Sequence, residues 1–140
     1  MNQSFILHSV LAQDCHILGN LTHCLVLLNK NALIPWFILV PILVENKACV
    51  SDFLDLDEQM RTNILKECAF VSDFVKSFFH CSKVNFGAIG NIVPQMHLHV
   101  LGRKEIDCCW PQVVWGNIKD SKHYTEAEIS AIQQLLIPTC

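Results

Sequence analysis

The sequence predicts an α+β domain in which a long helix and a short C-terminal helix accompany a five-stranded antiparallel sheet. Three observations predict it. Apolar extended runs follow one another closely between Cys15 and Pro41. A stretch of helical period fills the middle of the chain after Asp55. Two more extended runs then lie back to back between Lys83 and Arg103. Connections this short favour antiparallel pairing, because a parallel pair needs a crossover of roughly a dozen residues or more.

In chain order, residues 1–14 hold a short apolar cluster, Phe5-Ile-Leu, followed by His8, and the pattern dictates no element there. Cys15-His-Ile-Leu-Gly19 and His23–Asn29 read as two strands, with Gly19-Asn20 as a tight hairpin connection. Trp36–Pro41 is a third, wholly apolar strand, which argues for a central place, and Pro35 and Pro41 bracket it. Asp55 is the expected N-cap of the long helix, with Glu58 three places on as in a capping box. From about Leu56 to His80, the residues Leu56, Met60, Ile64, Cys68, Val71, Val75 and Phe78 fall on one stripe. Asp57, Arg61, Lys66, Asp73 and Lys76 take the outer face. Lys83–Ile89 reads as the fourth strand, and Gly90-Asn91 turns the chain into the fifth, which ends at Arg103. Residues 104–122 read as loop. Thr125-Glu-Ala-Glu128 is a second capping box, and its helix carries Ile129, Ile132 and Leu136 on one face and stops at Pro138.

The 140 residues suit a single domain spanning 1–140, with 104–140 supplying the last loop and helix. Only 16% of residues are charged, against about a quarter in ordinary domains, so exposed apolar surface and a subunit interface are expected. The net charge of −3 argues against a nucleic-acid polymer as partner, since such binders carry a basic stripe. The N-terminus lacks a basic start and an apolar core. The longest apolar run, Ile34–Val44, is broken by Pro35 and Pro41 and falls short of the ~20 residues of a membrane helix. The expectation is a cytoplasmic protein with no membrane contact. Eight cysteines occur with no Cys-x-x-Cys, which reads as reduced thiols serving as small hydrophobes.

The chemistry concentrates in Asn91-Ile-Val-Pro-Gln-Met-His-Leu-His-Val-Leu-Gly-Arg103. Side chains alternate between the faces of a strand, so Gln95, His97 and His99 share one face while Met96, Leu98 and Val100 share the other. Neutral imidazole attacks phosphorus and forms a labile P–N bond, which divides one displacement into two easier ones. A neighbouring imidazole or amide can hold the phosphate oxygens or serve the leaving group. Asn91 and the backbone amides from Gly87 to Gly90 can add donors. Two other readings stay open on the residues alone. One is a pair of polar residues on a one-sided sheet. The other is zinc held by His97 and His99 with His16, His23, Cys108 or Cys109.

Gln95-Met-His-Leu-His-Val-Leu-Gly-Arg103 resembles the signature of the histidine-triad (HIT) superfamily, His-φ-His-φ-His-φ-φ with φ apolar. The likeness extends over roughly residues 15–103 and is closest to a bacterial branch with a Gln-φ-His-φ-His motif and a Trp-Pro…Val-Trp-Gly segment, here Trp110–Gly116. The resemblance implies a homodimer that binds a small nucleotide and hydrolyses or transfers it, from dinucleoside polyphosphates or nucleoside phosphoramidates, with no cofactor. It implies His97 as nucleophile, His99 on the phosphate and leaving group, and Gln95 at the first triad position, where glutamine donates hydrogen bonds but does not shuttle a proton. Asn29 stands where the family has an acidic residue for the ribose hydroxyls, Leu27 maps to the base pocket, and Asn85 and Asn91 map to the phosphate side. Arg103 reads as a structural anchor for a carboxylate, and Trp110 and Trp115 as packing across the dimer or closing the pocket. The Gln95 replacement leaves a second implied reading, a nucleotide-binding module with weak or no catalysis.

Overall fold

The computed structural model describes residues 5–43 and 50–139. Its extended runs form one antiparallel sheet of β1 (Cys15–Asn20), β2 (Cys24–Asn29), β3 (Trp36–Pro41), β4 (Lys83–Gly87) and β5 (Leu98–Arg103). The strand order is β1-β2-β3-β5-β4, so the wholly apolar β3 is central, as its sequence predicts. Alternation sorts the side chains between two covered faces. Val26, Leu28, Phe37, Leu39, Leu98 and Val100 join one core cluster. Above them lie a long helix, Glu58–Phe78, and the C-terminal helix, Glu126–Leu136. Leu25, Leu27, Ile38 and Val40 lie in a second cluster, with Phe5, Leu7 and Leu11 packed on it. That cover comes from a segment the sequence pattern left unassigned, a strap at residues 5–8 leading into a short helix. We number the helices α1 (Ser9–Asp14), α2 (Glu58–Phe78) and α3 (Glu126–Leu136).

α3 forms as its sequence predicts. Thr125 Oγ1 accepts from the Glu128 N–H, and the Glu128 carboxylate accepts from the Thr125 N–H, which completes the capping box. α2 starts two residues later than the expected cap. Asp55 belongs to a short 3-10 turn, Phe53–Asp55, and the cap is Asp57, whose side chain accepts from the Met60 N–H at 2.8 Å. Leu56 is buried in the core just before the cap, and burying it sets the entry of the chain. α2 ends by a left-handed residue, His80 (φ 57°), with the Cys81 N–H reaching back to the Lys76 carbonyl.

Two turn assignments are corrected. Gly19-Asn20 is not the hairpin connection. β1 runs through Asn20, and Leu21–His23 make the turn. Gly19 (φ 145°) instead marks a bulge, where a Cβ would come within 2.8 Å of Ile137 at the end of α3. The Leu18 carbonyl beside it accepts from the Gln133 amide at 2.7 Å. Nor is the segment from Asn91 to His97 strand. β4 stops at Gly87 and β5 starts at Leu98. Between them Val93 turns under the sheet into the cluster of Leu27 and Ile38, and Pro94 has no N–H to give a ladder. Among the described cysteines, Cys15, Cys24, Cys68 and Cys81 are unpaired and buried as small apolar groups. Burial pushes the thiols of Cys15 and Cys68 up to about 12, so they stay protonated at neutral pH. Cys49 and Cys140 lie outside the described residues.

Candidate active site

β5 presents His99, Leu101 and Arg103 on the face away from α2, because Leu98 and Val100 enter the core cluster beneath that helix. His97 stands one residue ahead of the strand and keeps to the same side. The two rings lie 4.9 Å apart and nearly edge to face. Both are buried in the described chain, with 7% and 5% of their surface exposed. Their hydrogen bonds set the tautomer of each neutral ring. His97 Nδ1 lies 2.7 Å from the Gln95 carbonyl. A carbonyl only accepts, so Nδ1 carries the hydrogen and Nε2 is left as the lone-pair nitrogen of the neutral ring. His99 Nδ1 lies 3.0 Å from the Trp36 indole nitrogen. An indole N–H only donates, so the His99 hydrogen sits on Nε2. Burial first, and the neighbouring His97 second, push the His99 pKa down to about 4.

Gln95 does not share this face through its side chain. Its amide oxygen accepts from the His8 N–H at 2.7 Å, and its amide nitrogen donates to the Ile6 carbonyl at 3.0 Å. The side chain thus fastens the N-terminal strap, while the backbone carbonyl of the same residue orients His97. Below His99 the 104–118 segment closes the sheet. Ile34, Leu101 and Val114 form a cluster there with Trp36 and Trp115 against it. Arg103, 1% exposed, makes the anchor expected of it. Its Nε and Nη2 donate to the two oxygens of Asp107 at 2.8 and 3.1 Å, and its Nη1 donates to Asn85 Oδ1 at 2.9 Å. Trp110 covers the guanidinium at 5.7 Å. Burial alone would raise the Asp107 carboxyl. Hydrogen bonds from Arg103 and from the Lys104 and Cys109 N–H groups outweigh it and hold the carboxyl below its usual range.

A hollow of about 560 Å³ opens beside His97. Gly90, Met96 and His97 line one side, and Asp52, Phe53 and Asp55 line the other. Of the residues carried over from the family signature, His97 lines this hollow, His99 and Gln95 do not, and the remaining four lie elsewhere. Asn29 ends β2, its side-chain oxygen accepts from the Asn31 N–H, and it borders a separate open recess with Lys30 and His123. Leu27 is fully buried among the residues beneath the strap. Asn85 is committed to Arg103. Asn91 is exposed next to Gly90 in the loop before the histidines. None of these four lines the hollow at His97. The residue that sequence reasoning passed over is Trp36, read as strand filling. Only its cross-strand offset from the Ile38–His99 pair could have suggested that it reaches His99. Among the described residues no group of three or more His, Cys, Asp or Glu is placed to hold a metal, and His23 is paired with Glu67 at 2.8 Å. No helix among them is long and apolar enough to cross a membrane.

The model of the HIT domain matches residues 11–106. The chain belongs to the HIT family. This HIT protein is similar over nearly its whole length to three solved histidine triad proteins. The one from Bradyrhizobium japonicum is 33% identical, with 96% of each chain covered and a TM-score of 0.85. That from Marinobacter aquaeolei VT8 is 35% identical over 96% of this chain and 94% of its own, with a TM-score of 0.83. That from Sinorhizobium meliloti 1021 is 30% identical over 96% of each, with a TM-score of 0.86. No curated protein matches the sequence. Membership in the HIT family supports a nucleotide-handling function of the hydrolase type.

Proposed function

We propose that this HIT protein is a nucleotidyl hydrolase that works through a covalent nucleotidyl-histidine on His97. The observation that carries the reading is the fixed tautomer of His97, which lines the hollow, with the His99 ring 4.9 Å from it. The Gln95 carbonyl occupies the His97 Nδ1–H, which leaves Nε2 with the lone pair. Nε2 attacks the α-phosphorus, a P–N bond forms, and the bond from phosphorus to the leaving group breaks with its electron pair on that group. His99 offers its Nε2–H to the oxygen on which charge collects. Water then attacks the same phosphorus, the P–N bond breaks, and His97 regains its lone pair. Replacing His97 by Ala is expected to abolish turnover of adenosine phosphoramidate and of diadenosine tetraphosphate with the fold unchanged. Full activity in that variant removes His97 from the mechanism.

The charge of the hollow favours one of the two substrate types. Its charged residues among those described are Asp52 and Asp55, both acidic. A polyphosphate leaving group meets two like charges there, and an amine does not. Phosphoramidates are therefore the preferred substrates. The double variant Asp52→Asn, Asp55→Asn is expected to raise kcat/KM for diadenosine tetraphosphate relative to phosphoramidate by about threefold, since the carboxylates are exposed and screened. An unchanged ratio counts against a leaving group in this hollow.

A second reading, nucleotide binding without turnover, is favoured by one feature. Gln95, at the first triad position, has its amide oxygen and amide nitrogen bonded to the strap. Trapping a nucleotidyl-histidine in a single turnover excludes it. The proposal also includes a homodimer, supported by the outer edge of β4, which no strand pairs among the described residues, and by the exposed Leu65 and Phe86 along it.

A further inference from the structure

We propose that Trp36 is a positioning residue that fixes the proton of His99 on Nε2 and so makes His99 a one-way hydrogen-bond donor toward the phosphoryl group. Trp36 opens β3 and pairs with Leu101, one cross-strand step from the Ile38–His99 pair, so both rings rise from the same sheet face. Its indole donates to His99 Nδ1 at 3.0 Å. Indole nitrogen has no lone pair to accept with, so this bond exists in one direction only. A ring turned over presents Cδ2–H and leaves the indole without an acceptor, and a ring carrying hydrogen on Nδ1 sets two donors against each other.

The surroundings leave His99 little other freedom. Trp115 stands edge-on to His99 at 5.0 Å and edge-on to Trp36 at 5.8 Å, so one ring braces both members of the bond. The groups facing His99 are few. On β3 the neighbours are Trp36 and Ile38, on β4 the paired residue is Gly87, and from the 104–118 segment it is Trp115. Further along β5, Arg103 and its partner Asp107 satisfy each other. His97 is the titratable group beside the ring.

The consequence concerns the leaving group and rests on the proposed hydrolase reading. A neutral imidazole whose one hydrogen is on Nε2 can stabilise charge by donating that hydrogen. It does not give the hydrogen up at neutral pH, because the product is an imidazolate. His99 then acts by hydrogen bonding, and the departing group, an amine nitrogen included, takes its proton from water as the bond to phosphorus breaks. With Trp36 removed, His99 can populate the other tautomer or take a second proton beside His97, and the donor aimed at the phosphoryl oxygen is lost part of the time.

The test reads the proton directly. Long-range ¹H–¹⁵N spectra of the full chain labelled at histidine report which ring nitrogen of His99 is protonated, from pH 4 to pH 8. Wild type is expected to show the Nε2–H form across the neutral range. Trp36→Phe is expected to show a mixture of tautomers and a His99 midpoint raised by roughly half to one pH unit. Trp115→Ala removes a contacting ring but not the bond, and is expected to keep the Nε2–H form, which separates the hydrogen bond from packing. In turnover, Trp36→Phe is expected to lower kcat more than it changes KM and to move the acid limb of the rate profile upward by the same interval. A wild-type His99 with its hydrogen on Nδ1 overturns the proposal whatever the variants do. So does a folded Trp36→Phe with unchanged tautomer and midpoint. A wild type that shows Nε2–H but turns over no nucleotide supports the positioning and overturns the hydrolase reading alone.

Discussion

His99 is a neutral imidazole kept from water, and that has a cost in acid. In the unfolded chain the ring takes a proton near its ordinary value of about 6.5, whereas in the fold it resists until about 4. Its contribution to stability is complete above about 6.5 and is lost as the pH falls toward 4, a loss approaching roughly 3 kcal/mol. Chemical denaturation at pH 7, 5.5 and 4.5 measures it. A midpoint that stays level over that range shows that the ring is protonated in the fold or open to water. Asp107 adds a separate loss at lower pH, because its folded carboxyl sits below the usual carboxylate value and its stabilisation fades only as that carboxyl protonates. The Arg103–Asp107 pair is nearly dry, so removing one member leaves the other charged and unmatched. Asp107→Asn is expected to destabilise by about 3 kcal/mol in equilibrium unfolding. A change below about 0.5 kcal/mol is the result of a pair that water already screens.

At the scale of elements, the close passage of α2 over β5 is the tightest constraint. A Cβ at Gly102 would meet Val75 at 2.6 Å and Cys81 at 2.7 Å. Both belong to the core, so neither can move aside cheaply, and Gly102→Ala is expected to lose about 1–3 kcal/mol of stability. The end of α2 offers the opposite change. His80 occupies the left-handed region, where a side chain is strained and glycine is not. Its side chain is exposed, and His80→Gly is expected to raise stability by about 0.5–1 kcal/mol, read from the denaturation midpoint. A lower midpoint in that variant points to a tertiary role for the His80 ring.

For the whole molecule the β4 edge is the surface that a partner would cover. The sheet order places β4 at one end, with no strand beyond it among the described residues. Leu65, Val84 and Phe86 leave an apolar groove alongside. In the proposed homodimer two such edges meet and the sheets join. Leu65→Glu plants a charge in that groove away from His97 and is expected to shift the protein from dimer to monomer at micromolar concentration in sedimentation velocity. Wild type that sediments as a monomer at the same concentration rejects the dimer.

Much of this organisation is local and was legible in the residues. The central place of β3 follows from its unbroken apolar run. The shared side of His97 and His99 follows from a spacing of two. The start of α3 follows from Thr125 and Glu128, which cap each other within one turn. Other features depend on what arrives from far along the chain. Gln95 has the spacing of a third member of the histidine face, yet its amide meets His8 and Ile6, 87 and 89 positions away. Trp36 meets His99 across 63 positions. Gly19 reads as a turn glycine until Ile137 packs against it, and Asp55 reads as a cap until the burial of Leu56 moves the helix start to Asp57. The sequence by itself determined which residues within a strand or helix face the same way, because periodicity is a property of the regular backbone. Only the tertiary structure decided what each of them faces, because a hydrogen bond needs a partner that the closed fold alone brings within reach.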